Sequence, residues 1–299
     1  MLKKLLTKPV WYWERKREYP IRQRYTELPP IAVTPSSARL VVLTTPAALP
    51  DALWAAWSWY RFLKNNKFQL QFVVDGKLSA QTEADAKRLF PEVRIDEAAQ
   101  LVEKLGQEEP VLGGFFRDHP LGKKLGFLLA LSQQSPLLYS DHDVLAFHPP
   151  VELLDCIARN EPCFFLEDKD DTRDAEIVKR AQTLGANYLP NFNSGVLYIP
   201  QGALSVALAV DLLRDWKPPV RSWFTEQTIL SILMQAAQAR PLPESRYIIS
   251  NHRQFYWQQD VDYRKISARH FTGPVRHVLY KFGMPFLLEQ SKKQETATV

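Results

Sequence analysis

From residue 38 onward the chain alternates short β-rich runs with helical stretches, and this order constrains its fold more than any other feature. Residues 39–45 form a β-rich run that stops at Pro46, and Leu53, Trp54, Trp57, Tyr60 and Leu63 then recur at helical spacing as core candidates. A second strand is expected over 68–74, ending in Asp75-Gly76, then a helix over 81–90 and a third strand over 93–95. A loop containing Gly113-Gly114, a helix over 121–133 and a strand over 136–140 follow. Strands joined through helices lie parallel in a sheet covered on both faces. The expected class is therefore α/β, with a mixed, mainly parallel sheet flanked by helices. Such sheets bind ligands beyond the carboxyl ends of their strands, which is where Thr44, Asp75 and the tripeptide Asp141-His142-Asp143 fall. No G-x-G-x-x-G follows the first strand and no G-x-x-x-x-G-K-S/T occurs, which disfavours dinucleotide-binding and P-loop readings.

Asp141 and Asp143 carry the first chemical signal. Spaced i, i+2 at the end of an apolar run, they are expected to point to the same side of an extended strand and share one hard cation. Carboxylate oxygens suit Mg²⁺ or Mn²⁺, ions that keep coordination positions for water and substrate phosphates. His142 is then expected on the opposite side, as packing or as a hydrogen-bond partner of the ligands. D-x-D also arises by chance in solvated turns, so its meaning rests on its flanks.

Composition excludes several classes. At 299 residues, 45% hydrophobic and 24% charged, the chain suits a globular domain with a sizeable core. No apolar run approaches the length of a membrane span, and no signal-peptide pattern follows the basic start, so a cytoplasmic location is expected. Of the net charge of +5, residues 1–24 supply +6 (eight Lys/Arg against Glu14 and Glu18), and the remainder nets −1. A nucleic-acid partner is excluded on that distribution. Residues 1–37 read as a basic, aromatic arm, either packed on its own domain or in peripheral contact with a membrane. Residues 38–289 read as a single domain and 290–299 as a flexible tail. Cys156 and Cys163 lack metal-site spacing and are expected as buried thiols.

The second half offers a helix over 149–158, a strand over 162–166, an acidic segment from Glu167 to Asp171, and Asn193-Ser194-Gly195 entering a strand. Helices over 201–216 and from Thr225 follow, the latter with Ile229, Ile232 and Leu233 on one face. In order, Lys124, Asp141-x-Asp143, Asn193-Ser194-Gly195, Glu226-Gln227 and His270-Phe271-Thr272-Gly273-Pro274 resemble the GT-A-fold glycosyltransferases. The nearest resemblance is to glycosyltransferase family 8, which contains the glycogenins and the lipopolysaccharide galactosyl- and glucosyltransferases. It spans about residues 38–285 through the order of short motifs, without continuous similarity.

That resemblance implies a metal-dependent enzyme moving a sugar from a nucleotide diphosphate, expected to be a UDP-sugar, to a hydroxyl acceptor with retention of configuration. The acceptor is left open among a saccharide, a lipid-linked glycan and a protein. The resemblance also implies that His270 completes the metal site with Asp141 and Asp143. Gly273 and Arg276 continue the family's H-x-x-G-x-x-K motif, with Arg in place of Lys and so able to grip phosphate bidentately. Lys124, or its neighbour Lys123, would reach the diphosphate. Asn193 and Gly195 would meet the donor sugar, while Thr44 and Asp75 would hold base and ribose. Glu226-Gln227 stands where the family has Asp-Gln, one methylene longer, so the pair is expected to meet sugar hydroxyls with altered reach. Thr225 before it is a candidate helix N-cap. Asp168 lies in an acidic cluster that also reads as a solvated loop; it is a candidate sugar contact or, in an inverting enzyme, an acceptor base alongside Glu226.

Three rivals make different demands, one of them a membrane-interface assembly protein attached through residues 1–37. A sugar-nucleotide nucleotidyltransferase would carry a Gly-rich basic loop after the first strand, where this chain has Leu43-Thr44-Thr45-Pro46. A noncatalytic binding or scaffold relative would be expected to lose metal ligands, yet Asp141, Asp143 and His270 are all present.

Overall fold

The computed structural model describes residues 17–63, 68–166, 173–216, 222–250 and 261–297. Its strands are β1 (Arg39–Thr44), β2 (Gln69–Val74), β3 (Arg94–Glu97), β4 (Leu137–Asp141), β5 (Val144–Ala146), β6 (Cys163–Leu166), β7 (Phe192–Ile199), β8 (Arg240–Leu242), β9 (Tyr247–Ser250) and β10 (Ala268–Phe271). Seven of them form one sheet in the order β3-β2-β1-β4-β7-β6-β8, and β5, β10 and β9 form a second, smaller sheet. Within the large sheet β7 runs antiparallel to β4 and β6, while the other neighbouring strands pair in parallel. Apolar side chains are buried on both faces, as a sheet covered by helices requires.

Helix α1 (Leu49–Leu63) is apolar nearly all round and buried over most of its length, with Trp54, Trp57, Trp59 and Tyr60 inside. A buried indole needs a partner for its N–H, and each of these has one. Trp54 donates to Arg22 O at 3.0 Å, Trp57 to Pro29 O at 3.1 Å and Trp59 to Ser140 Oγ at 3.0 Å. The first two bonds tie the N-terminal segment to the domain. Tyr25, Leu28 and Val33 accordingly share one core with the sheet, so the packed unit begins before residue 38. Residues 1–16 of the expected arm lie outside the described residues.

Helix α2 (Ala80–Leu89) follows β2. Between β3 and β4, where a loop was expected first, the chain forms two further helices, α3 (Ala98–Glu108) and α4 (Pro110–Asp118), and the helix expected over 121–133 is then present as α5 (Gly122–Ser132). Pro110 sits in the first turn of α4, where its missing N–H costs nothing. Gly113 is a packing residue here: a Cβ on it would lie 2.5 Å from Gly106 O, so its absence lets α3 and α4 touch backbone to backbone. Turn propensity misread a glycine that serves helix contact.

Helices α6 (Val151–Arg159), α7 (Ala175–Thr183), α8 (Val206–Leu213) and α9 (Thr225–Ala236) complete the layers, and α10 (Met284–Ala297) closes the chain. The stretch expected as a flexible tail is thus helical to Ala297, with Leu287, Leu288 and Ser291 buried. Cys156 and Cys163 are free and buried. Among the described residues no helix is long and apolar enough to cross a membrane.

The small sheet brings distant parts of the chain to the end of β4. β10 pairs with β5 so that His270 stands opposite Val144, and Phe271 N donates to Asp143 O at 2.8 Å.

Candidate functional site

Asp141 is the last residue of β4, and His142-Asp143 turn the chain from the large sheet into the small one. Asp143 therefore comes from a turn and not from strand alternation. That geometry corrects the expectation for His142, which lines the same cleft as its neighbours. His270 Nε2 lies 3.2 Å from Asp143 Oδ1 and 3.8 Å from Asp141 Oδ2. The other ring nitrogen, Nδ1, is 3.0 Å from Asn193 Oδ1, which also accepts from Gly195 N at 2.9 Å. An amide oxygen can only accept, so Nδ1 donates to Asn193 and the ring is held with Nε2 facing both carboxylates. One ligand atom from each of Asp141, Asp143 and His270 lies within 4.8 Å of the others. Two carboxylates and an imidazole converging in this way fit a divalent cation, and the hydrogen-bonded imidazole is already oriented for it.

Gly195 makes this arrangement possible. A Cβ at that position would stand 2.4 Å from His270 Nδ1 and 2.8 Å from Asn193 Oδ1. The space expected to admit a sugar is filled by the His270 ring. Arg276 differs likewise: its Nη2 donates to Asp143 Oδ2 at 2.5 Å. Burial would raise the Asp143 carboxyl, but Arg276 and His270 outweigh it and hold the group well below the usual carboxylate range.

Beneath the metal residues lies a second charged layer. Lys124, on α5, is buried and donates to Ser194 Oγ at 2.9 Å and Ser194 O at 3.1 Å. Its Nζ also lies 3.4 Å from Asp141 Oδ1 and 3.5 Å from Glu226 Oε1, and Tyr139 OH donates to Asp141 Oδ1. Burial lowers the Lys124 pKa, yet Asp141 and Glu226 more than reverse this and keep the ammonium charged. Burial pushes the Glu226 carboxyl up, against the pull of Lys124 and with the push of Asp141. One ammonium cannot fully neutralise two carboxylates. Lys124 is thus the inward lysine, but it is committed to protein groups; Lys123 faces outward and pairs with Asp75 at 2.6 Å.

Asp141, Asp143, His270, Lys124, Glu226 and Arg276 line one cleft of about 590 Å³ that also holds Thr44, Asp75, Gln227, Gly273, Trp223 and Phe224. No family model and no curated protein sequence matches the chain. Solved structures do match in shape. The apo structure of WbbM, a bifunctional glycosyltransferase, superposes with a TM-score of 0.53 at 15% identity, covering 87% of this chain and 53% of that one. An active-site mutant of LgtC, a galactosyltransferase, superposes with a TM-score of 0.52 at 15% identity, covering 77% of this chain and 86% of that one. The fold is that of the GT-A glycosyltransferases. The chain spans about half the length of WbbM.

Thr44 Oγ1 donates to Thr45 O at 3.1 Å, and Thr44 O accepts from Asp75 N at 2.8 Å, which joins the ends of β1 and β2. Gln227 Oε1 accepts from Ser194 N at 3.4 Å, so α9 is tied to β7. Gly273 faces open space. Asp168 lies outside the described residues. Thr225 is the first residue of α9 and not its cap; its hydroxyl donates to Asp174 Oδ2 at 2.6 Å. Tyr139, Asp174 and His119 were missed, because a polar residue that will be buried looks like a solvated one until its partner is in place. Trp223 and Phe224 could have been noticed as aromatics directly preceding Glu226-Gln227.

Proposed function

We propose that this protein is a metal-dependent glycosyltransferase that moves a sugar from a UDP-sugar to a hydroxyl acceptor with retention. The observation that carries the reading is the convergence of Asp141, Asp143 and His270 at the carboxyl edge of β4, in a cleft shared with Glu226 and Gln227. The fold supports glycosyl transfer, and the ordered motifs that resemble family 8 support the sugar-nucleotide donor and retention. An imidazole ligand favours Mn²⁺ over Mg²⁺, which prefers an all-oxygen shell.

When bound, the cation would neutralise the diphosphate and ease its departure. The rest falls to the chain. Asn193 holds the His270 tautomer, Arg276 fixes Asp143, and Lys124 keeps Asp141 and Glu226 from repelling each other in the buried floor. Glu226 and Gln227 are the groups proposed to meet the sugar, with Thr44 and Asp75 toward base and ribose and Gly273 allowing the donor to approach. In the transfer, the bond from the anomeric carbon to the phosphate oxygen breaks and UDP leaves with the electron pair. The acceptor oxygen bonds the same carbon and its proton passes to solvent. Holding donor and acceptor together in one cleft supplies much of the acceleration.

Calorimetric titration of UDP with and without Mn²⁺, on wild type and Asp143→Ala, tests the reading. Metal-dependent binding lost in the variant supports it; UDP binding indifferent to metal would sink it. Slow hydrolysis across a panel of UDP-sugars then identifies the donor.

A further inference from the structure

Trp223 and Phe224 stand in water at the cleft, 64% and 41% exposed, in a chain that buries Trp54, Trp57 and Trp59 completely. Among the described residues only Val151 and Leu184 join them as large exposed apolar side chains, and neither of those lines the cleft. Two adjacent aromatics left open in a cleft that also carries charged side chains mark a binding surface better than scattered apolar residues do.

Their backbone is held in place. His119 Nε2 donates to Ser222 O at 3.0 Å while its Nδ1 accepts from Leu121 N at 3.1 Å, and its ring stacks on Phe115 at 4.6 Å. On the other flank Thr225 N donates to Ser222 O at 3.2 Å and the Thr225 hydroxyl to Asp174. A surface fixed before its ligand arrives loses little freedom on binding.

The position is asymmetric about the metal residues. Thr44 and Asp75 follow β1 and β2, on one side of β4 in the sheet order. Trp223 and Phe224 precede α9, which is tied to β7 on the other side. Beside them stand a carboxylate and an amide, Glu226 and Gln227. A flat apolar plane edged by hydrogen-bonding groups matches a pyranose ring, which has a C–H face and a rim of hydroxyls.

We propose that Trp223 and Phe224 form the acceptor platform and that the acceptor is a saccharide, its terminal ring stacked on the Trp223 indole. The assignment rests on the glycosyl-transfer reading and narrows it. A peptide acceptor would need no ring-sized aromatic plane, and a lipid tail would need a channel free of charge, whereas Lys124, Asp141, Asp143, Glu226 and Arg276 all line this cleft.

The test is saturation-transfer NMR of the full chain against a panel of methyl hexopyranosides and disaccharides, with and without UDP and Mn²⁺. Wild type, Trp223→Ala, Trp223→Tyr and Phe224→Ala are compared, with circular dichroism checking the fold. At least one saccharide should bind through one C–H face, lose affinity about tenfold in Trp223→Ala and recover most of it in Trp223→Tyr. Its loss should far exceed any change for UDP with Mn²⁺ measured by calorimetry. Saccharide binding indifferent to Trp223→Ala overturns the platform, and an equal loss for UDP reassigns Trp223 to the nucleotide. UDP binding by wild type with no saccharide bound overturns the saccharide acceptor and leaves the donor reading standing. Saccharide binding lost in Trp223→Ala, in a chain that ignores UDP, upholds the platform and removes the donor reading.

Discussion

Arg276 closes on the carboxylate of Asp143 at 2.5 Å, so a cation expected to grip substrate phosphate balances a buried carboxylate of the candidate metal site. Removing it leaves that buried charge with only the imidazoles of His270 and His142 to offset it. Arg276→Met should destabilise the protein by about 1–3 kcal/mol, a range lowered for the partial exposure of the guanidinium. Urea denaturation measures this. Mn²⁺ should raise the Tm of the variant more than that of wild type, because a second cation on Asp143 replaces the lost one; an equal shift would contradict the pairing.

Asn193→Ala removes no proposed metal ligand, only the acceptor that orients His270. Affinity for Mn²⁺ in the presence of UDP should fall about 10–100-fold while the fold survives. Calorimetry reading an unchanged affinity would show that Asn193 orients nothing.

Gly195→Ala places a methyl group where the His270 ring sits. The ring must leave its present position, at a cost of about 1–3 kcal/mol in stability and with loss of metal-dependent UDP binding. A variant that binds Mn²⁺ and UDP like wild type would rule out the steric role.

Lys124→Met strands Asp141 and Glu226 without their shared ammonium. Breaking a buried pair from one side should cost about 3–5 kcal/mol. The double variant Lys124→Met with Glu226→Gln should recover about 1–3 kcal/mol of that loss, since one of the two stranded charges is gone. Additive losses in urea midpoints would dissolve the network.

Burial lowers the pKa of His119, against a smaller rise from its bond to Ser222 O. The unfolded chain therefore takes up this proton first as pH falls. The contribution of His119 to stability is complete above its unfolded pKa of about 6.5 and is lost as pH falls from there through the lower folded value. Urea midpoints between about pH 7 and pH 5 should fall less steeply in His119→Gln than in wild type. Identical slopes would mean that His119 does not titrate on folding.

Much of the architecture was legible because it is periodic. Strand and helix alternation follows from side-chain periods of two and 3.6, and β1, β2, α1 and β4 lie within a few residues of their expected places. The failures have local causes. Gly113 read as a turn because its lack of a side chain serves turns and helix contacts equally, and the distinction needs Gly106 across from it. The C-terminal stretch read as a tail because α10 is polar along most of its length and docks only through residues such as Leu287 and Leu288.

The sequence by itself determined the fold class, the strand that ends in Asp141 and the residue types able to hold a hard cation. These depend on near neighbours in the chain, where periodicity and chemistry can be read directly. Only the tertiary structure decided what each polar group faces. It set His270 beside Asp143 through the pairing of β10 with β5, committed Lys124 to Asp141 and Glu226, turned Arg276 onto Asp143, and left Trp223 open at the cleft. Those contacts join segments remote in sequence, and a buried charge shows its role only when its partner is packed against it.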